Sequence, residues 1–348
     1  MGKRPVRKIC VIRLSSLGDL VQASASLRAL RNAFPDAHIS FVAASGFEEP
    51  VIKSPIIDEL IIYDRGGRNL TNKRQWIGLI FKLFSRRFDL LVDLHSNNRT
   101  KLISFFSFPR RRTPIFGNFN GMPNLVRHEF FLKRLGIAEP LPPMESWVGE
   151  DDLEFAEKFL EHASITPSDF LIGLNPGVNW TSKTWPPEFF VEVGDHFTRF
   201  HNAKAIVFGG PADREKALNI YRRMEKKPIL AAGRTSFLQA AALIKRCNLF
   251  ITGDTGLMHV ARGFHVPTVA IFGGTDPKIH TDPLPSFMRV LRDASCQPPC
   301  YKYHCPKKTR ACLWAIRPEM VITEAEDLLG IPTESRIVSD EISSSSCY

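Results

Sequence analysis

The feature that most limits the fold of this chain is an alternation of short apolar runs with helical stretches, which occurs twice along the sequence. Continuous apolar runs rich in β-branched residues are typical of strands buried in a parallel sheet. In the first half they predict strands at Lys8–Leu14, Ile39–Ala43, Leu60–Tyr63 and Leu90–Leu94. Between them, the spacing of apolar residues predicts helices at Leu20–Phe34 and Lys73–Ser85.

The alternation begins again after residue 165. It predicts strands at Phe170–Leu174, Ala205–Phe208, Leu249–Thr252 and Thr268–Phe272, and helices at Glu188–Phe200, Asp213–Glu225, Ser236–Lys245 and Gly256–Gly263. Proline and acidic residues in 138–169 indicate a linker followed by one helix. Strands that alternate with helices form parallel sheets with helices on both faces. We therefore predict two doubly wound α/β domains, residues 1–165 and 166–330, that face a central cleft, with a disordered tail at 331–348.

The charge of the chain is divided unequally between these domains. The 348 residues carry a formal net charge of +10. Residues 1–150 contain 23 basic and 13 acidic residues, whereas residues 151–348 contain 23 of each. This asymmetry indicates that only the first domain faces an anionic partner, which is nucleic acid, a membrane surface or a phosphorylated substrate. The alternative is that the excess of basic residues serves only the solubility of the protein. With 44% hydrophobic and 24% charged residues, the composition excludes a disordered or fibrous chain.

The N-terminal segment is basic and then apolar, as a signal peptide is. Its apolar run is only about seven residues long. The run contains Arg13 and leads into a Gly-Asp turn instead of a cleavage site. No stretch approaches the roughly 20 apolar residues of a membrane span. We therefore expect a cytoplasmic protein whose contact with a membrane is at most peripheral.

The loop after the first predicted strand, residues 15–19, reads Ser-Ser-Leu-Gly-Asp. It lies at the carboxyl edge of the predicted sheet, where ligands bind in doubly wound domains. A buried, water-poor position there raises the pKa of Asp19 toward the value a general base needs. Alternatively, Asp19 caps the helix that follows. The residues alone leave both interpretations open.

The corresponding loop of the second domain carries Lys183. From Gly177 it nearly matches the phosphate-binding loop, with Ser182 in place of the second glycine. In the phosphate-binding loop the lysine lies at the start of a helix. Here Pro187 disfavours a helical conformation at Pro186, so a helix is not expected to begin at Lys183. The sequence therefore argues against a nucleotide-hydrolysing loop, although Lys183 remains able to reach a phosphate as a point charge.

The turn Gly-Asp-Thr-Gly at 253–256 joins a predicted strand to a predicted helix. The unpaired amides at the start of that helix are suited to bind a diphosphate. Asp254 has the wrong charge for a phosphate contact and more plausibly fixes the turn or binds a hydroxyl. His259, one turn into the helix, either donates to an anion or is structural. A second glycine-rich turn at 273–277 indicates a site for an extended, nucleotide-linked ligand.

Four segments taken in order carry a family resemblance: the Ser-Ser-Leu-Gly-Asp loop, Lys-Thr-Trp-Pro at 183–186, Asp-Thr-Gly-Leu-Met-His at 254–259 and Gly-Gly-Thr-Asp-Pro at 273–277. With them, nearly the whole chain resembles the family 9 glycosyltransferases, which are ADP-heptose:lipopolysaccharide heptosyltransferases and their relatives. The resemblance implies the GT-B architecture of two Rossmann-like domains, the first binding the acceptor and the second the nucleotide sugar. It also implies inverting transfer without a metal or other cofactor, the ADP-sugar being a substrate.

On the acceptor side, Asp19 resembles the family's general base, which deprotonates the acceptor hydroxyl. Ser16 and Gly18 of the same loop are candidates for acceptor binding. Arg99 and Lys101 begin a stretch in which basic and phenylalanine residues interleave up to residue 112. We expect this stretch, including Arg110–Arg112, to meet the phosphates of a lipid-linked acceptor or an anionic membrane surface. The alternative is a buried apolar helix followed by a solvated loop.

On the donor side, Lys183 resembles the residue that stabilises the departing diphosphate. The residues that correspond to the diphosphate and sugar site are Asp254, Thr255, Gly256 and His259. Asp213 and Thr235 fall near the positions that hold the ribose and base.

Four cysteines near the C-terminus, at positions 296, 300, 305 and 312, invite a zinc interpretation. Their spacing lacks the usual pairs of cysteines two residues apart. We expect Cys296, Cys300, Cys305 and Cys312 to be structural thiols, reduced or locally disulfide-linked, and we predict no metal site.

The expected activity is transfer of heptose from ADP-heptose to the phosphorylated, lipid-linked inner core of lipopolysaccharide, with peripheral contact with the inner membrane. The alternatives are a GT-B transferase that uses a UDP- or GDP-sugar, and a non-catalytic relative that binds nucleotide sugars. A basic nucleic-acid-binding protein is a further alternative, but no recognised nucleic-acid-binding module accompanies the basic residues, so we expect no such partner.

Overall fold

The computed structural model describes residues 5–64, 73–117, 119, 121–294, 296 and 299–331. The chain forms two compact units: residues up to Gly149 together with Lys278–Pro283, and Glu150–Pro277 together with the residues from Leu284 onward. The observed boundary precedes the expected one at 165/166, because the helix predicted before residue 165 belongs to the second unit. Apart from Ile331, the tail expected at 331–348 lies outside the described residues.

The first unit is built on a parallel sheet with the strand order β3-β2-β1-β4-β5. Its strands are β1 (Lys8–Ile12), β2 (His38–Ala44), β3 (Glu59–Tyr63), β4 (Leu90–Asp93) and β5 (Arg111–Arg112). Its helices are α1 (Leu17–Ala33), α2 (Glu49–Ile52), α3 (Lys73–Arg86), α4 (Asn98–Phe106) and α5 (Asn124–Arg134). Apolar clusters cover both faces of this sheet.

The second unit is built on a parallel sheet with the order β11-β10-β9-β6-β7-β8. Its strands are β6 (Leu171–Asn175), β7 (Lys204–Val207), β8 (Ile229–Leu230), β9 (Leu249–Gly253), β10 (Thr268–Phe272) and β11 (Met288–Arg292). Its helices include α6 (Glu150–Glu161), α7 (Pro187–Phe200), α8 (Arg214–Arg223), α9 (Phe237–Lys245) and α10 (Gly256–Gly263). The remaining helices are α11 (Pro277–Thr281), whose residues from Lys278 group with the first unit, α12 (Ala311–Trp314) and α13 (Pro318–Leu329).

Two Rossmann-like α/β units, each with a parallel sheet, are therefore confirmed. The eight strands predicted from apolar runs are all present. The elements that were not predicted are the helices α2, α5, α11, α12 and α13 and the edge strands β5, β8 and β11, and α4 was expected only as the alternative for its segment. Edge strands have only one sheet neighbour, so they carry shorter or more polar sequences, and α4 and α5 carry charged residues that interrupt the apolar periodicity.

The interior of the second sheet depends on a glycine in its central strand. A Cβ atom on Gly173 would lie 2.5 Å from the ring of Phe250. The Phe250 ring in turn meets the ring of Phe208 at a centroid distance of 5.5 Å. Gly173 thus leaves the space that two large aromatic side chains fill, which keeps β6 close-packed between its neighbours.

No helix among the described residues is long and apolar enough to span a bilayer.

Candidate active site

The order of the strands locates a ligand site in each unit. In the first sheet, consecutive strands extend in one direction from β1 through β2 and β3 and in the other from β4 to β5. In the second sheet, β6 to β8 extend one way and β9 to β11 the other. Ligands of doubly wound sheets bind at the carboxyl ends of the two strands where the direction reverses. Those strands are β1 and β4 in the first unit, and β6 and β9 in the second.

Asp19 lies just beyond the carboxyl end of β1, in the first turn of α1. One carboxylate oxygen, Oδ2, accepts hydrogen bonds from the backbone N–H and the hydroxyl of Ser16, at 2.8 and 3.0 Å. The other, Oδ1, pairs with Arg13 at 2.7 Å and accepts from the amide of Asn124 at 3.3 Å. Ser16 precedes the helix and Gly18 is buried in its first turn. The structure therefore brings Ser16, Gly18 and Asp19 together, and the N-cap position belongs to Ser16, not Asp19.

The protonation state of Asp19 differs from the expectation. Burial does favour the neutral acid, but the charge of Arg13 and the hydrogen bonds from Ser16 outweigh it and hold the pKa of Asp19 below its usual range. The expected rise of this pKa is therefore wrong, because the loop also delivers a guanidinium and two donors. Asp19 is a fully ionised carboxylate whose side chain is 20% exposed.

A cavity of 730 Å³ opens at the carboxyl end of β4, and its walls include Arg99 and Lys101. The turn that follows β4, from His95 to Asn98, and Arg127 of α5 contribute further walls. Arg127 connects the cavity to the neighbourhood of Asp19, because it donates at 2.9 Å to Asn124, the residue that contacts the carboxylate. The cavity thus has three cationic side chains suited to an anionic ligand, next to a carboxylate suited to accept a proton.

The guanidinium groups of Arg110–Arg112 do not line this cavity. Arg110 pairs with Asp89 at 2.7 Å, Arg111 donates to the carbonyl of Leu135, and Arg112 donates at 3.2 Å to the carbonyl of Phe105. The expectation that all three meet acceptor phosphates needs correction, because at least part of their hydrogen-bonding capacity stabilises β5 and the ends of α4 and α5.

In the second unit, Lys183 lies in a 3₁₀ turn, Thr181–Lys183, that precedes α7. Its ammonium group pairs with Asp254 at 2.5 Å, and the two side chains are 14% and 6% exposed. The same carboxylate oxygen accepts from the hydroxyl of Thr275 at 2.7 Å. Asp254 therefore positions Lys183 beside the start of α10. Pro186 has the extended ψ of 129° that the following proline requires, so no helix begins at Lys183.

The start of α10 lies at the point where the strand order reverses. The Thr255 hydroxyl caps this helix by accepting from the N–H of Met258 at 3.3 Å. Asn175, at the end of β6, donates to Thr255 at 3.1 Å and to Thr252 at 2.9 Å. Thr255 and Gly256 are partly exposed, whereas His259 is buried within the helix. The remaining amides of this first turn, together with Lys183, are suited to bind a diphosphate.

Asp213 lies against the loop that follows β6. A Cβ atom on Gly177 would be 2.6 Å from its carboxylate, which accepts hydrogen bonds from the N–H of Gly210 and from Lys216 at 3.2 and 3.1 Å. Thr235 follows β8, two strands beyond β6, and its hydroxyl donates to the carbonyl of Ala231 at 3.5 Å. The structure thus places Asp213 beside the β6 loop and Thr235 farther along the carboxyl edge.

The cysteine-rich segment holds the loop that carries Lys183. The carbonyl of Tyr303 accepts from the N–H of Ser182 at 3.1 Å and from the hydroxyl of Thr181 at 3.0 Å. Burial and the nearby thiols of Cys296 and Cys305 raise the pKa of the Cys312 thiol. No disulfide joins these four cysteines in the structure. Their segment braces the loop that carries Lys183.

Sequence reasoning missed Arg13, Asn124, Arg127, Asn175 and Thr275. Arg13 follows β1 and Asn175 ends β6, both at a reversal point of the strand order, so a sheet order predicted from the sequence would have pointed to them. Asn124 and Arg127 lie on a helix far from Asp19 in the chain, and only the folded unit brings them to the carboxylate.

The model of glycosyltransferase family 9 (heptosyltransferase) matches residues 124–310. A lipooligosaccharide heptosyltransferase 2 from Campylobacter jejuni is 30% identical over 325 residues, covering 90% of this chain and 95% of that protein. The crystal structure of a family 9 glycosyltransferase from Veillonella parvula superposes with a TM-score of 0.80 and 29% identity, covering 94% of this chain and 98% of that chain.

A likeness of fold extends to the E. coli heptosyltransferase WaaC solved with ADP-2-deoxy-2-fluoro heptose, at a TM-score of 0.65 and 16% identity, covering 92% of this chain and 99% of that one. The family model spans more than half of the chain, and the similarity to the Campylobacter protein spans nearly all of it. This chain therefore belongs to glycosyltransferase family 9, and it is a glycosyltransferase.

Proposed function

We propose that this protein transfers heptose from ADP-heptose to a hydroxyl of the lipopolysaccharide inner core, with inversion at the anomeric carbon. The first unit binds the phosphorylated, lipid-linked acceptor at the cytoplasmic face of the inner membrane, and the second unit binds the donor. The observation that carries the proposal is the ionised carboxylate of Asp19 beside a cavity lined by Arg99, Lys101 and Arg127. The family description and the names of the curated relatives support heptose as the transferred sugar.

Asp19 acts as the base in this reaction. As the bond between the acceptor oxygen and the anomeric carbon forms, the hydroxyl becomes strongly acidic, so even a carboxylate of low basicity accepts its proton. The ion pair with Arg13 keeps Asp19 ionised and fixes the orientation of the carboxylate. The basic residues of the cavity bind acceptor phosphates, which aligns the hydroxyl for attack from one side.

Lys183 and the first turn of α10 stabilise the leaving group. When the bond between the sugar and the diphosphate breaks, its electron pair remains on the departing ADP. The ammonium group of Lys183 has three donors and uses one on Asp254, which leaves others for the diphosphate. The helix amides supply further positive potential at the same place. These groups provide the charge stabilisation that the step needs, which supports transfer without a metal or another cofactor.

The donor is tested by thermal unfolding in the presence of ADP-, UDP- and GDP-linked nucleotides. We expect selective stabilisation by the ADP compounds. Stabilisation by UDP or GDP compounds instead would assign another donor.

Catalysis is tested by Asp19→Ala, which should abolish transfer and leave ADP binding nearly intact. Unchanged turnover in this variant would remove the base assignment. A wild-type protein that binds ADP-sugar but transfers to no phosphorylated acceptor would be a non-catalytic relative. Steeply salt-dependent binding of DNA or RNA would instead identify a nucleic-acid partner.

A further inference from the structure

An exposed apolar surface lies on α3 and α4 of the first unit. This surface, which we call the apolar face, consists of Ile77, Phe81 and Phe84 of α3, Phe105 and Phe106 of α4, and Phe108 just after α4. Their exposed fractions range from 39% for Phe105 to 67% for Phe81. Single exposed apolar residues are ordinary on a soluble protein, but a contiguous group of this size marks an interaction site.

Helix α3 carries apolar residues on two sides. Leu79 and Leu83 are buried against the sheet, in the core of the unit. Ile77, Phe81 and Phe84 recur at intervals of four and three residues, which places them along a second stripe that faces solvent. Packing among the described residues of the unit accounts for the first stripe and leaves the second unexplained.

Aromatic contacts join the two helices into one surface. The ring of Phe108 lies 6.1 Å from that of Phe84 and 6.2 Å from that of Phe105, and Phe105 lies 5.2 Å from Phe106. Arg112 covers one side of the Phe105 ring, with its guanidinium carbon 5.1 Å from the ring centroid. The apolar face is therefore continuous and has a cationic edge.

Basic residues outnumber acidic ones around the apolar face, and two of the basic residues are paired, Arg86 with Glu59 and Arg110 with Asp89. Residues 73–88 contain five basic and no acidic residues, and residues 98–112 again contain five basic and no acidic residues. Lys82 and Arg87 are exposed beside the phenylalanines. This arrangement matches an anionic lipid surface, which takes up aromatic rings at the headgroup level and attracts lysine and arginine. It disfavours a second copy of the same chain, because two such faces would repel each other.

Helix α4 also connects the apolar face to the basic cavity. Its first turns supply Arg99 and Lys101 to the cavity, and its last turn supplies Phe105 and Phe106 to the apolar face. An acceptor whose lipid chains stay in a bilayer would present its phosphorylated headgroup to the cavity only if the protein rests on that bilayer near α4.

We propose that the apolar face is a membrane-docking surface whose phenylalanines enter the headgroup region of an anionic bilayer while the exposed Lys82 and Arg87 beside it bind lipid phosphates. The proposal rests on the proposed function for the identity of the acceptor, and it adds which residues bring the enzyme to that acceptor. The bilayer contact then orients the cavity toward the membrane.

The test is sedimentation of the full chain with vesicles of phosphatidylglycerol and phosphatidylcholine, compared with vesicles of phosphatidylcholine alone. The variant is Phe81→Ser/Phe84→Ser/Phe108→Ser, and the control replaces two exposed apolar residues of the second unit, Leu284→Ser/Met320→Ser. We expect the wild type and the control to bind the anionic vesicles. Partitioning of the triple variant should fall by about 100-fold, since each inserted ring contributes on the order of a factor of 5 to 10.

A second variant, Lys82→Gln/Arg87→Gln, should weaken binding to anionic vesicles and reduce its dependence on salt. No binding of the wild type to anionic vesicles, or equal binding of the triple variant, overturns the proposal. The proposal is also overturned if, in the absence of lipid, the wild type sediments as a dimer and the triple variant as a monomer. The apolar face would then be an interface between two copies of the chain.

A soluble acceptor separates this proposal from the proposed function. With a deacylated, phosphorylated acceptor, the triple variant should transfer within about twofold of the wild-type rate, because its substitutions lie outside the cavity and the donor site. A wild type that binds vesicles but transfers no sugar would refute the proposed function and leave the docking surface standing. A triple variant that loses transfer to the soluble acceptor would show that the face belongs to the substrate site instead.

Discussion

The ion pair between Lys183 and Asp254 allows the role of the lysine to be separated into positioning and catalysis. The two charges are 2.5 Å apart and mostly buried, and Asp254 has Thr275 as a second partner. Replacing Lys183 by Met removes the cation from the proposed diphosphate site and also takes the lysine counter-charge away from the carboxylate of Asp254. Replacing Asp254 by Asn in the same chain removes that stranded charge and keeps an oxygen for the Thr275 hydroxyl.

The magnitudes follow from the burial of the pair. Removal of one partner of a buried ion pair costs about 3–5 kcal/mol of stability, because the remaining charge is desolvated and unpaired. Lys183→Met should therefore destabilise the folded protein by about 3 kcal/mol, and adding Asp254→Asn should restore about 1–3 kcal/mol. Affinity for ADP should fall by about 100-fold in Lys183→Met, because a charge-assisted contact is lost and the Asp254 carboxylate remains beside the diphosphate site. In the double variant the affinity should recover by about tenfold.

The catalytic rate should behave differently from stability and affinity. Lys183 stabilises charge that develops as the diphosphate departs, so its loss should lower kcat by about 10²–10³-fold, in the single and the double variant alike. The measurements are denaturant unfolding, calorimetric titration with ADP, and initial rates of transfer for the wild type, both single variants and the double variant.

Two results would refute this reasoning. If Asp254→Asn restores neither stability nor ADP affinity in the Lys183→Met background, the two residues are not energetically coupled. If it restores kcat to near the wild-type value, Lys183 serves only to neutralise Asp254 and does not stabilise the leaving group.

Three further predictions concern other parts of the two sites. Arg13→Met should raise the pKa of Asp19 by removing the adjacent positive charge and so move the acid limb of kcat/KM to higher pH, and an unmoved limb would contradict the ion pair's role. Gly177→Ala places a Cβ atom 2.6 Å from the Asp213 carboxylate and should weaken ADP binding by about tenfold in a titration, whereas Gly78→Ala, where nothing lies within 4 Å, should not. His128 is fully enclosed with neither ring nitrogen hydrogen-bonded, and burial with the charge of Arg13 lowers its pKa. Because only the unfolded chain takes up that proton, stability should fall as the pH drops below about 6.5, and His128→Phe should flatten this part of the unfolding-versus-pH curve.

The sequence alone was sufficient for the architecture. Short apolar runs mark buried strands of parallel sheets, and seven of the eight predicted strands lie inside a sheet, with β3 at an edge, so the two α/β units follow from local patterns. The sequence was also sufficient for the loops, because Asp19, Lys183 and Thr255 all lie in segments that follow central strands, at the edge where such folds bind ligands. The edge strands β5, β8 and β11 and the charged helix α5 were not predicted, because their residues do not repeat with the period of a buried face.

The tertiary structure decided the chemistry of these residues. Asp19 looked like a carboxyl group of raised pKa because its loop is enclosed, but the pKa is lowered by Arg13 at the end of β1 and by the Ser16 donors. Asp254 looked like a turn residue, and the folded unit makes it the partner of a lysine 71 positions away in the chain. The basic and aromatic residues of α4 were visible in the sequence, yet only the packing of α3 beside α4 shows that phenylalanines from both helices form one exposed face. Strand patterns are local and can be read along the chain, whereas a pKa, an ion pair or a surface depends on groups that only folding brings together.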